Sequence, residues 1–143
     1  MKKILFFICM MGFPLALMAN DFAGTTSEIK KIVSLSVVDE IPFPMSSLKD
    51  YFTAPTILEN NDPSDGIIDD VNIILSQFSE ATVLKPKHKS YVESSVFVKP
   101  TKKGSYEVVI CQKWNRKNEQ QLVITYGICT EKQLNMIKLK LDL

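Results

Sequence analysis

The sequence predicts an α+β domain: one main amphipathic helix packed on a mostly antiparallel sheet of about five strands, closed by a single disulfide. Three observations lead there. An apolar stripe at helical spacing runs through residues 64–80, and from Thr82 onward the apolar period changes to two. The third is a late cysteine pair, Cys111 and Cys129, in a chain that starts like an exported protein.

The export reading comes from the first nineteen residues. Lys2 and Lys3 give a charged start, Ile4 to Met11 is unbroken apolar sequence, and Leu15 to Ala19 ends on a small residue. Those are the three parts of a secretory signal peptide, with cleavage expected after Ala19 and residues 20–143 forming a single periplasmic domain. A retained membrane anchor is the weaker alternative. Only sixteen residues separate Lys3 from Asn20, about 20 are needed to span a bilayer, and Pro14 interrupts the run. Cleavage removes Cys9 and leaves an even pair, which in an exported chain is read as a Cys111–Cys129 disulfide worth roughly 3 kcal/mol by chain entropy.

The elements follow in order. Thr25-x-x-Glu28 resembles a capping box, but Val33-Ser34-Leu35-Ser36-Val37 alternates, so a strand is expected over about Lys31–Val38. Pro42 and Pro44 impose an extended connector, and Ser47-x-x-Asp50 is expected to cap one helical turn through Phe52, ended by Pro55. Asp62 is the expected N-cap, and Pro63 the first residue, of a helix over about Ser64–Glu80. Its buried stripe is Ile67, Val71, Ile74 and Phe78, widened by Ile68 and Leu75. Strands are then expected at Thr82–Leu84, Ser90–Lys99, Ser105–Trp114 and Gln120–Ile128. Ile137 to Leu143 alternates strictly and reads as a last strand.

The disulfide constrains this drawing. A flat hairpin turning at Lys117 places Cys111 opposite Ile124, five residues short of Cys129. That is about 16 Å of strand, whereas bridged Cα atoms lie within about 7 Å. The bond therefore requires a bend, expected at Gly127, or a loop shifted toward Gln120.

Function classes narrow by exclusion. The near-neutral exported chain lacks the basic surplus of a general nucleic-acid binder. Asp39 to Glu80 holds nine acidic residues and one basic, while Lys85 to Lys117 holds nine basic residues against Glu93 and Glu107. Such segregation either compensates across the fold or steers a charged partner. The lone histidine, His88, stands among Lys85, Lys87 and Lys89 with no adjoining carboxylate, and reads as an exposed loop residue. One histidine and two paired cysteines leave no usual zinc set, and Asn61–Asn72 departs from a calcium loop at Pro63 and Asn72. No nucleophile motif or phosphate loop is present, so no enzyme, cofactor or metal is expected.

Recognition of another protein remains. Trp114 beside Lys113, Arg116 and Lys117 at the hairpin end is one candidate contact surface. The C-terminal strand carrying Lys138 and Lys140 is a second, as an edge for strand addition. The signal-like Met1–Ala19, the chain length, and Cys111 and Cys129 with 17 residues between them resemble a family of small periplasmic accessory proteins. These are the toxin-coregulated pilus H type and the Yersinia fimbrial-regulator accessory proteins. The resemblance implies an intramolecular disulfide, and a non-catalytic role in binding a membrane-spanning transcription regulator and shielding its periplasmic domain from proteolysis. It also implies a possible part in sensing small lipids. A periplasmic immunity protein or inhibitor that neutralises a toxin or hydrolase suits the same size, charge and lack of catalytic groups.

Overall fold

Three apolar runs dominate the second half of the chain: Val96–Val98, Val108–Cys111 and Leu122–Ile124. Unbroken runs of this kind belong to strands covered on both faces. The computed structural model, which describes residues 29–30, 35–42, 45–76, 81–101, 103–116 and 119–143, places all three runs at the centre of one sheet.

The strands are β1 (Ser36–Val38), β2 (Thr53–Asn60), β3 (Thr82–Leu84), β4 (Val92–Pro100), β5 (Tyr106–Arg116) and β6 (Glu119–Cys129). Their spatial order is β1-β2-β6-β5-β4-β3, and every neighbouring pair is antiparallel. A 3-10 turn spans Lys49–Tyr51, and two helices, α1 (Ile67–Leu75) and α2 (Glu131–Leu141), complete the described elements.

The sheet has a helix on each side. On the first face Ile67, Ile68, Val71 and Leu75 of α1 pack onto Leu58, Phe97, Val109, Cys111, Leu122 and Ile124. On the second, Leu134 and Ile137 of α2, with Leu48 and Phe52, pack onto Val96, Val98, Val108, Ile110 and Cys129. Full burial of one such aliphatic side chain stabilises by about 1.5–3 kcal/mol, so the two covers supply the main driving force.

The architecture expected from the sequence is corrected in four places. The sheet has six strands rather than about five, with helices on both faces rather than one. The added strand is β2, which carries Pro55. A proline is tolerated there because the register slips by one residue between Thr53 and Thr56, a bulge at which Ala54 adopts φ 49. The expected last strand is the helix α2. Its start is a capping box: Gln133 N–H donates to Thr130 Oγ1 at 3.3 Å and Thr130 N–H donates to Gln133 Oε1 at 2.9 Å. Leu139, which a strand would bury beside Ile137, is 78% exposed, and burial instead follows Leu134, Ile137 and Leu141 at helical spacing. Finally, α1 starts at Ile67 behind Gly66 in the left-handed region (φ 77), not at Asp62, whose N–H donates to Asn60 Oδ1.

Other expectations are met in part. The turn near Ser47 forms, but without a side-chain cap. Of the expected first strand, residues 31–34 lie outside the described residues; among those described the strand covers Ser36–Val38, and Ile29 and Lys30 are helical. The proposed signal peptide, Pro44, Phe78 and Lys117 lie outside the described residues.

The disulfide is overturned by register. Cys111 pairs opposite Ile124 and Cys129 opposite Tyr106, so the straight hairpin holds them five residues apart. Side chains alternate along a strand, so an odd offset puts the two thiols on opposite faces of the sheet, one in each apolar cluster. Both cysteines are free and buried. Desolvation pushes the Cys111 thiol up to about 12 and the Cys129 thiol up to about 11. The expected bend at Gly127 is absent as well. Gly127 pairs with Val108 in an unbroken ladder, and a Cβ added to it would lie 2.6 Å from Cβ, Cγ and Cδ1 of Phe52.

This packing generates three predictions. Gly127→Ala should cost about 1–3 kcal/mol in chemical denaturation, because the clash involves the Phe52 Cβ and not a movable side-chain end. In the folded protein Cys111 and Cys129 should resist alkylation at pH 8, and in denaturant both should react without reductant, as located by peptide mapping. The thiols stay protonated in the fold above their ordinary value of 9.0, so the folded state binds more protons than the unfolded chain there. Stability should therefore fall as pH rises from 9 toward 12, and less steeply in Cys111→Ala.

Candidate functional site

β3 covers only part of its neighbour. Its three residues pair with Val96–Val98, after which Pro86 turns the chain away and the ladder stops at Leu84↔Val96. The first half of β4, Val92–Ser95, therefore presents an outer edge that no described strand covers.

Backbone parity identifies what that edge offers. Asn115 N–H donates to Tyr91 O, so odd residues of this segment bond to β5 and even residues point outward. Val92 is closed by its own neighbour: its N–H donates to Ser90 Oγ at 3.0 Å, and the Ser90 hydroxyl donates to Val92 O at 3.4 Å. Ser94, 8% exposed, has no such hydroxyl bridge, and its N–H and C=O point to the β3 side of the strand.

Two cavities flank this edge. One, of about 300 Å³, lies on the α2 side and is lined by Met45, Ser46, Tyr91, Ser94, Gln112, Lys140, Leu141 and Asp142. The other, of about 400 Å³, includes Lys85 and Glu93. Pro86, His88, Lys89, Ser90, Val92 and Ser94 are common to both, so the cavities form one trough around the β4 edge. In the wall of the first, Gln112 is 2% exposed and its Oε1 is buried without a hydrogen-bond partner. A buried acceptor left open is costly, about 1–3 kcal/mol.

His88 sits at the rim. The fold supplies the carboxylate its sequence neighbourhood lacks: Asp142, 54 residues away, places Oδ2 2.5 Å from His88 Nδ1. Asp142 is an unusual choice for its position. It is the left-handed residue (φ 57) that closes α2, where glycine is at home, and it puts negative charge at the negative end of the helix. The hydrogen bond from His88 is the main cause holding its carboxyl below the ordinary 3.8, aided by the charges of His88 and Lys87. The stability this contact supplies is present above pH 3.8 and fades as pH falls through the folded value. A catalytic dyad needs a hydroxyl within reach of the histidine, but the Ser90 hydroxyl is turned to the Val92 backbone and His88 is 84% exposed in its side chain. Among the described residues no three His, Cys, Asp or Glu side chains gather as a metal set.

The contact residues expected from the sequence are dispersed. Lys113 is 8% exposed on the α1 face, while Trp114 turns to the opposite face and packs near Met45, Ile57 and Val123, its Nε1 buried without a partner. Arg116 is exposed at the hairpin end. Lys138 is half-buried in the last turns of α2 rather than on an edge strand, and among the described residues Lys140 is the expected contact residue that reaches the trough. The trough itself had a faint signal in sequence: a three-residue strand cut short by Pro86 beside a longer one.

Comparison with family models, with curated proteins and with solved structures finds no match to this chain. No helix among the described residues is long and apolar enough to cross a membrane.

The site analysis yields one prediction. Asp142→Gly should leave the denaturation midpoint unchanged or raise it, because glycine suits the left-handed closing residue and removes the unfavourable charge, which together outweigh the lost His88 contact. It should also release His88, seen as a shift of its ring resonances. A clearly lowered midpoint would show that the contact serves the fold rather than the trough.

Proposed function

We propose that this chain is an exported, non-catalytic accessory protein that binds the periplasmic domain of a membrane-spanning transcription regulator and shields it from proteolysis. The observation that carries protein binding is the uncovered β4 edge in its trough. An open strand edge is a liability in a folded protein unless it is covered, capped or used. Here Ser90 caps Val92 and leaves Ser94 open. The signal-like start supports export. The choice of a regulator as partner rests on the family outline alone, because the cysteines that contributed to it stand on opposite faces of the sheet. The non-catalytic part is supported by the exposure of His88 and the engagement of the Ser90 hydroxyl.

Deletion of the gene should lower the steady-state level of the regulator several-fold, and the regulator should be recovered by crosslinking pull-down from the same cells. Recovery of a toxin or wall hydrolase, with regulator levels unchanged, would favour the inhibitor reading in its place.

A further inference from the structure

Resting on the protein-binding reading above, we propose that the trough takes an extended, acidic polypeptide segment of the partner, added as a strand beside Val92–Ser95 where β3 stops. Three independent features converge on that occupant. The first is backbone: the outward N–H and C=O of Ser94 continue the ladder that ends at Leu84↔Val96, so an incoming strand gains a ready pair of hydrogen bonds. The second is the pair of cavities. The trough offers about 300 Å³ and about 400 Å³ along the same edge, room for the side chains of an extended segment. The third is chemistry. The polar side chains of Ser46, Ser94 and Gln112 line the smaller cavity and suit a polar segment rather than an apolar one.

Charge decides what kind of segment fits. The trough carries Lys85, Lys89 and Lys140, against Glu93 and an Asp142 carboxylate already engaged by His88. The ion pair Lys49–Glu40 and the cross-strand pair Lys99–Glu107 lie elsewhere and leave this rim positive. A positive rim attracts carboxylates and discriminates against basic chains.

The test uses the full chain in the cells that express it, with the photo-crosslinker p-benzoylphenylalanine placed at Tyr91, which is 64% exposed in the trough. The control position is Ile73, 63% exposed on α1 across the sheet. The expected result is an adduct from Tyr91 that maps to an extended acidic segment of the partner. Its yield should fall roughly tenfold in Lys89→Glu/Lys140→Glu, two exposed changes that spare the core, and should fall with added salt. A partner adduct from Ile73 alone would overturn the trough assignment while leaving partner binding intact. An adduct from Tyr91 to a second copy of this chain, or to the partner with no response to charge reversal, would overturn the acidic-strand assignment. No adduct from either position, with regulator levels unchanged on deletion, would overturn both.

Discussion

The register of one hairpin governs most of this structure. β5 and β6 pair without interruption from Arg116↔Glu119 to Tyr106↔Cys129, and both strands are buried on both faces at their centres. A slip of one residue would flip one strand relative to the other, setting either Val108, Val109 and Ile110 or Leu122, Val123 and Ile124 against the wrong covering helix. Locking that register decides which face receives each cysteine, seats Phe52 against Gly127, and turns Gln112 and Trp114 toward one side and Lys113 toward the other.

The cysteines illustrate how a local rule yields to packing. An even pair in an exported chain favours a bridge, and 17 intervening residues suit one. Yet the straight ladder separates the thiols by five positions and by the thickness of the sheet. They serve as small apolar core residues, with their ionisation suppressed by burial. The domain's stability therefore rests on its two apolar clusters and not on a cross-link.

The trough shows the opposite balance, with local rules broken at the surface. Asp142 stands where glycine and a positive charge would each be better, Gln112 leaves an acceptor unmet, and β3 stops short of covering β4. Such departures concentrate where a protein is built to do something other than fold. The three come from segments far apart in the chain, which is why His88 reads in isolation as a plain loop residue among lysines.

The sequence by itself determined the strands from Thr82 to Ile128 and the amphipathic stripe of α1, because periodicity is local and acts within a few residues. It also held an unread signal. The unbroken runs Val96–Val98, Val108–Cys111 and Leu122–Ile124 require two covered faces, and so a second helix. The C-terminal segment concealed that helix by alternating like a strand over Ile137–Leu143, while Thr130, Gln133, Leu134 and Ile137 carried the helical pattern. Only the tertiary structure decided the rest. The fate of the cysteines, the burial of Lys113, the His88–Asp142 contact and the open edge at Ser94 all depend on which strands become neighbours and in what register. That choice is made by long-range burial, and no window of sequence contains it.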